Sequence, residues 1–289
     1  MTISFEGQVA VVTGAGGGLG RCHALELARR GAQVVVNDLG GAMDGSGGNS
    51  AAAEAVVEEI RAAGGEAVAN GGSVADEVGV KSMIQTAMDK WGRIDILINN
   101  AGILRDKSFA KMTLEDFRAV VEVHLMGSAM ATKEVWPIMR EQGYGRIVMT
   151  TSPSGLYGNF GQANYGAAKL GLVGFMNTLK IEGAKNNIHT NAIAPVAMTR
   201  MTEGLIPEEA GKNLGPELIT PGVIYLCSKD APNGLILQAA GGTFSVACMV
   251  ENQGVNLGMD ASVEDVAANW SKITDLTAAK PRNMLQLGG

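Results

Sequence analysis

Tyr165 and Lys169 stand four positions apart in a stretch of helical period, which puts them on one face of a helix, a turn apart. A free tyrosine has a pKa of about 10 and is a poor base at neutral pH. A neighbouring ammonium favours the phenolate, and a phenol tuned in this way can exchange a proton with a hydroxyl group. Tyr-x-x-x-Lys alone is a common helical pair and specifies little. Ser152 changes its weight: it lies thirteen residues before Tyr165, just past an apolar run over 146–151, and its hydroxyl can hold a substrate oxygen. Ser154, two positions later, competes for that role. The loop from Gly155 to Gly161 can approach a substrate closely.

A second constellation lies near the start of the chain. The turn Thr13-Gly14-Ala15-Gly16-Gly17-Gly18-Leu19-Gly20 follows a strand-like run and opens a helix-like one. Glycines permit the tight turn and the backbone approach that a pyrophosphate needs, and a helix N-terminus supplies free N–H groups. The next strand-like run ends at Asn37-Asp38, where a carboxylate can accept both ribose hydroxyls of NAD and repel the extra phosphate of NADP. No Lys or Arg within the turn offsets that repulsion. NAD is therefore the expected cofactor. A cationic nicotinamide near Tyr165 adds to the pull of Lys169 on the phenol. Asn99-Asn100-Ala101-Gly102 closes a further strand with small and amide side chains that can wall the adenine-side ribose.

Elements that position these residues alternate along the first two thirds of the chain. Strands are expected over Gln8–Thr13, Gln33–Asn37, Ala67–Asn70, Ile94–Asn99, Arg146–Thr151, Ile188–Ala194 and Leu235–Gln238. Helices are expected over 19–30, 50–63, 76–91, 114–140 and 165–183, the last with Leu172, Phe175, Met176 and Leu179 on one stripe. That alternation predicts an α/β fold: a single-domain, Rossmann-type, doubly wound parallel sheet with helices on both faces. Residues 1–250 form the expected NAD-binding domain. Residues 251–289, with a helix-like piece near 262–273, form an expected C-terminal extension packed on it.

Composition narrows the partners. The chain of 289 residues is 46% hydrophobic and 18% charged, enough for a sizeable core, and its 40 glycines sit in short clusters rather than repeats. With 23 basic against 29 acidic residues and no dense basic segment, nucleic acid is an unexpected partner. Cys22, Cys227 and Cys248 are odd in number and widely spaced, and His23, His124 and His189 never approach ligand spacing, so neither a disulfide framework nor a metal is expected. The uncharged stretches 147–168 and 231–250 are long enough to raise membrane insertion, but Gly, Asn, Gln, Ser or Pro interrupts both. Buried strand plus loop is the better reading. No secretory signal opens the chain and no peroxisomal address closes it, at Leu-Gly-Gly, so a cytoplasmic location is expected.

The Thr-Gly-x-x-x-Gly-x-Gly turn, Asn-Asn-Ala-Gly, and a serine thirteen before Tyr-x-x-x-Lys together resemble the short-chain dehydrogenase/reductase family, over residues 7 to about 240. The resemblance implies that Ser152 rather than Ser154 holds the substrate oxygen and that Tyr165 is the general acid/base. Lys169 is implied to bind the nicotinamide ribose while lowering the tyrosine pKa. The implied cofactor set is Gly14, Gly18, Leu19, Gly20, Asp38, Ser73, Val74, Asn100, Ala101, Gly102, Tyr165, Lys169 and Pro195. Two positions depart from the family pattern. His124 stands where most members have a relay asparagine, and Pro195-Val196 stands for their Pro-Gly pair. An imidazole can relay protons or fix a water; a structural role is equally open.

A narrower resemblance is to the (3R)-hydroxyacyl-CoA dehydrogenase units of peroxisomal multifunctional β-oxidation enzymes. It is carried by Val-Val-Asn-Asp-Leu-Gly-Gly, Asn-Asn-Ala-Gly-Ile-Leu-Arg-Asp-Lys-Ser-Phe, Tyr-Gly-Asn-Phe-Gly-Gln-Ala-Asn-Tyr, the insert 40–49, His124 and Asn-Trp-Ser-Lys-Ile-Thr-Asp in the tail. It implies an acyl-CoA substrate, NAD, and a homodimer or homotetramer, with Arg105, Lys107 and Arg200 as candidate partners of the CoA phosphates. The rivals are a hydroxysteroid or steroid-side-chain acyl-CoA dehydrogenase, a biosynthetic ketoacyl reductase, which would want NADPH, and a non-catalytic NAD-binding sensor.

Overall fold

The computed structural model describes residues 2–202 and 208–282; the closing Leu287-Gly288-Gly289 lies outside them. Runs of β-branched and apolar residues form β1 (Val9–Thr13), β2 (Gln33–Asn37), β3 (Glu66–Asn70), β4 (Ile96–Asn99), β5 (Gly145–Thr150), β6 (Ile188–Val196), β7 (Ile236–Ala240) and β8 (Thr243–Ala247). They make one sheet in the order β3-β2-β1-β4-β5-β6-β7-β8. The pairs from β3 through β7 are parallel, with Val11 opposite both Val35 and Leu97. β8 returns after the two-residue connection Gly241-Gly242, too short for a parallel crossover. The strands β1, β4 and β5 are buried throughout, as a sheet covered on both faces requires.

Intervening segments supply α1 (Gly18–Arg29), α2 (Ala51–Ala62), α3 (Glu77–Trp91), α4 (Leu114–Val121), α5 (Gly127–Gln142), α6 (Pro153–Tyr157), α7 (Ala163–Gly183), α8 (Glu208–Gly211) and α9 (Thr220–Cys227). This is the Rossmann-like α/β fold that the alternation of sequence elements predicts. The order reverses beside β1, between β2 and β4, so the strand ends diverge there and leave a crevice.

Three local features depart from the sequence reading. The expected helix 114–140 is interrupted by a π-helical turn over Glu122–Met126 that carries His124; such turns concentrate at functional sites. β6 runs on through Pro195 and Val196, which pair with Ala239 and Ala240, because valine sustains a strand where the family's glycine would not. Arg146, second residue of β5, is fully buried. Its guanidinium donates to the carbonyls of Asn187, Ser228 and Lys229 at 2.8–3.0 Å, closing the far ends of β5 and β6.

The uncharged stretches fall on β5, α6 and the start of α7, and on β7 and β8. Among the described residues no helix is long and apolar enough to cross a membrane. Contacts divide the chain into units 1–246 and 247–289. The second holds a two-stranded ribbon, β9 (Val250–Glu251) against β10 (Lys280–Pro281), and short helices α10 (Val263–Ala268) and α11 (Trp270–Ile273). Ser262 and Asp265 close a reciprocal capping box at the start of α10.

Candidate active site

A cavity of about 810 Å³ opens along the C-terminal edge of the sheet. Its lining joins the two constellations that lie far apart in the chain. Gly14, Gly18, Leu19, Asp38, Ser73, Val74, Asn100, Ala101 and Gly102 line one part; His124, Ser152, Ser154, Tyr165, Lys169, Pro195 and Val196 line another. Of the residues expected at the site, Gly20 is outside the lining. It packs beneath the turn, where a Cβ would collide with the Gly14 carbonyl oxygen. There it lets α1 approach the turn closely.

The turn is held by side chains of the motifs themselves, through long-range bonds that motif reading does not give them. Thr13 Oγ1 accepts from the backbone N–H groups of Asn100 and Ala101, both at 3.0 Å, and Asn100 Nδ2 donates to the carbonyls of Thr13 and Gly14, also at 3.0 Å. The ends of β1 and β4 are thereby locked together. Asn37 Nδ2 likewise donates to Asn70 Oδ1 at 3.0 Å and to Gly72 O at 2.8 Å, which fixes the loop carrying Ser73 and Val74. α1 begins after Gly17 with neither a side-chain cap nor an acidic residue in its first turn. A dinucleotide pyrophosphate fits that end, because the first N–H groups of the helix are available to an anion.

Asp38 lines the cavity beside this cradle. Its Oδ2 accepts from Gly16 N at 2.8 Å and its Oδ1 from Gly40 N at 2.7 Å. Two N–H groups thus fix the carboxylate plane, and each oxygen keeps a lone pair for a further donor. The insert 40–49 borders the same region. Arg200 Nη2 donates to Gly41 O at 3.3 Å and Arg105 Nε to Asp44 O at 3.1 Å, so both arginines face the cavity and the insert together. Lys107 is outside the lining and pairs with Asp116 at 3.0 Å.

In the other part, Ser152 caps α6 and accepts from Ser154 N at 3.1 Å. Of the two serines, Ser152 is the one whose hydroxyl acts on the Tyr165 phenol, holding its pKa down, while Ser154 donates its backbone N–H to Ser152. Lys169 is 3% exposed. Its Nζ donates to Thr150 O and lies 5.4 Å from the centroid of the Tyr165 ring. Burial pushes the Tyr165 phenol up to about 12, opposed by the Ser152 hydrogen bond and assisted by the Asp106 charge. Burial pushes Lys169 down to about 7. The expectation that Lys169 lowers the tyrosine pKa is thus outweighed in the protein alone, since desolvation disfavours both charged forms.

The low pKa of Lys169 has a consequence for stability. A lysine unfolded at about 10.4 and folded at about 7 binds its proton more tightly in the unfolded chain. Between those values the unfolded state carries the extra proton, so stability rises with pH. Lys169→Met should abolish a rise of roughly 3–5 kcal/mol between pH 7 and 10. Urea unfolding of both proteins across that range measures it, and parallel pH dependences would refute the assignment.

His124 is fully buried and its ring meets Tyr165 edge to face, with centroids 5.2 Å apart. Burial first, then the Lys169 charge, hold its pKa well below the usual imidazole value, so it is neutral. Nε2 lies 2.9 Å from Ile103 O and 3.1 Å from Ile103 N, one bond for each tautomer, while the buried Nδ1 has no protein partner. The neighbouring turn admits the ring only because residue 102 is glycine; a Cβ there would collide with it. Gln162, three residues before Tyr165, also lines the cavity; it stands in the quoted stretch Tyr-Gly-Asn-Phe-Gly-Gln-Ala-Asn-Tyr, where motif reading gives it no role.

The short chain dehydrogenase family model matches residues 8–210. A short-chain type dehydrogenase/reductase of Mycobacterium tuberculosis is 54% identical over 276 residues, which cover 95% of this chain and 96% of that protein. The peroxisomal multifunctional enzyme type 2 of Drosophila melanogaster is 50% identical over 283 residues, covering 96% of this chain but 47% of the enzyme. The chain therefore spans about half the length of that relative. Its full-length structure superposes with a TM-score of 0.81 at 44% identity, over 99% of this chain and 48% of that one. A 7α-hydroxysteroid dehydrogenase complexed with NADH and 7-oxo glycochenodeoxycholic acid superposes at 0.75 with 31% identity, over 83% of this chain and 95% of that one. With that family match and these likenesses, joined by a cavity that fits a nicotinamide dinucleotide, the chain belongs to the short-chain dehydrogenase family as an oxidoreductase acting on a secondary alcohol.

Proposed function

We propose that this chain oxidises a (3R)-3-hydroxyacyl-CoA to the 3-ketoacyl-CoA with NAD. The observation that carries the reading is the near-complete coverage of this chain by half of the Drosophila multifunctional enzyme, at 50% identity. Arg105 and Arg200 support it: besides Lys169, they are the cations among the described residues lining the cavity, as CoA phosphates would need. Asp38 supports NAD over NADP through the charge that it sets on the ribose side. A homodimer or homotetramer in the cytoplasm is proposed with it; the family resemblance supports the first, and the free cysteines fit the second.

Bound NAD supplies a hydride acceptor, and the chain supplies everything else. Ser152 holds the alcohol oxygen and Tyr165 takes its proton as the C–H bond breaks. Lys169, anchored on Thr150 O, holds the nicotinamide ribose, and its charge together with that of the bound nicotinamide opposes the burial that raises the phenol. His124 stays neutral beside Tyr165: with its Nε2–H donating to Ile103 O, the unpartnered Nδ1 is an acceptor able to hold a water of the relay.

Steady-state NAD reduction across 3-hydroxyacyl-CoA thioesters of increasing chain length, beside a free steroid alcohol, tests the reading. The thioesters should give the higher kcat/KM. A strong preference for the free steroid would establish the second reading, a hydroxysteroid dehydrogenase, which the likeness to the bile-acid enzyme favours.

A further inference from the structure

Beside the tyrosine lies a polar chain that the proposed mechanism does not use. Gln162 immediately precedes α7 and is 6% exposed, yet its side chain caps nothing in the helix. Its Nε2 donates to Asp106 Oδ2 at 2.7 Å, and its Oε1 accepts from Asn159 Nδ2 at 3.0 Å. A carboxylate accepts only, so Asp106 fixes which end of the amide is nitrogen. The segment carrying Asp106 is itself fastened to the start of α7. Lys107 N donates to Gly161 O at 2.9 Å and Asn164 Nδ2 to Arg105 O at 3.1 Å. Gln162 can therefore neither swing away nor flip without breaking one of these bonds.

One capacity of this amide is unspent. Nε2 carries two hydrogens, and Asp106 takes one. Gln162 and Asn159 both line the cavity, three and six residues before Tyr165, whereas Asp106 does not. The second N–H thus belongs to a side chain at the cavity wall, one turn from the phenol. Asp106 Oδ1 is buried without a protein partner, a cost that persists because Oδ2 is needed to hold the amide.

We infer that Gln162 is a specificity-determining residue whose second amide N–H binds the thioester carbonyl of the substrate while Ser152 and Tyr165 hold the 3-hydroxyl, with Asp106 as its positioning residue. The inference rests on the proposed acyl thioester reading. A carbonyl two carbons from the reacting alcohol offers a second acceptor close to the first, and a donor fixed one turn from Tyr165 suits that separation. A secondary alcohol without such a carbonyl leaves the buried N–H unpaired, which penalises it.

The test compares 3-hydroxyhexanoyl-CoA with its thioether analogue, S-(3-hydroxyhexyl)-CoA, which lacks only the carbonyl oxygen. The ratio of their kcat/KM values is read with NAD for wild type, Gln162→Met, Asp106→Leu and Asp106→Asn. Gln162→Met should lower the preference for the thioester about tenfold, one neutral hydrogen bond. Asp106→Leu should lower it similarly, and Asp106→Asn, which keeps an acceptor toward Gln162, should restore most of it. An unchanged ratio in Gln162→Met overturns the carbonyl contact. A ratio that falls in Gln162→Met but stays at the wild-type value in Asp106→Leu overturns the positioning role. If wild type turns over neither compound, the acyl thioester reading itself fails, an outcome separate from both.

Discussion

Tyr165→Phe should lower turnover on the order of 10³-fold while NAD still binds with nearly its wild-type Kd. The ring stays: phenylalanine keeps the edge-to-face contact with His124 and the place under the Lys169 ammonium. Only the hydroxyl and its interaction with Ser152 are removed. Removing a buried hydroxyl whose partner can turn to the substrate costs about 1 kcal/mol of stability, too little to unfold a domain of this size. Any large loss of rate therefore reports proton transfer. Isothermal titration with NAD and single-turnover kinetics measure the two quantities. Turnover within tenfold of wild type would mean that another group is the base.

The same substitution reads the tyrosine pKa. Burial holds the phenol near 12 in the protein alone, so it stays protonated through the neutral range. The phenolate difference absorbance of wild type should include a group titrating near that value and missing from the phenylalanine variant.

Much of this arrangement was legible in the sequence because it is local. The Gly-rich turn, Asp38 at the end of β2 and the pair on α7 each need only a strand or helix period and a short spacing. β2 matches its expected bounds because five β-branched or polar residues lie between Gly31 and a loop. What sequence could not reach depends on partners far along the chain. Thr13 gains its role from Asn100 and Ala101, eighty-seven and eighty-eight residues away, and Asp106 gains its role from Gln162, fifty-six residues away. The π-helical turn at His124 leaves the apolar period nearly intact, so a helix over 114–140 was the natural expectation. α9 was missed for the opposite reason: six of its eight residues are buried, and a helix apolar on all sides shows no period. The direction of the Tyr165 shift depends on how much water the fold removes, and spacing alone carries no measure of that.

Cofactor choice is the second large effect. Asp38→Asn should shift the ratio of NAD to NADP kcat/KM toward NADP by about 10²–10³-fold, or about 3–4 kcal/mol. A unit charge pair 4 Å apart is worth about 4 kcal/mol near a protein surface, and the ribose phosphate of NADP brings more than one charge against the carboxylate. Asparagine is the right probe because it keeps the shape. Its carbonyl oxygen can still accept from Gly16 N or Gly40 N, so one of the two bonds that fix the loop survives. Alanine would release both and confuse loop order with charge. Part of the shift should come from weaker NAD binding, since a carboxylate accepts from ribose hydroxyls more strongly than an amide does. The rest should come from stronger NADP binding, helped by Arg200, which already reaches Gly41 O beside the ribose side and lines the same cavity. Salt separates charge from shape. Discrimination by wild type should weaken between low and high ionic strength, and that of Asp38→Asn should respond less. A ratio unmoved by Asp38→Asn would place cofactor choice elsewhere in the insert 40–49. A ratio that moves without any difference in salt dependence would make it a matter of hydrogen bonding rather than charge.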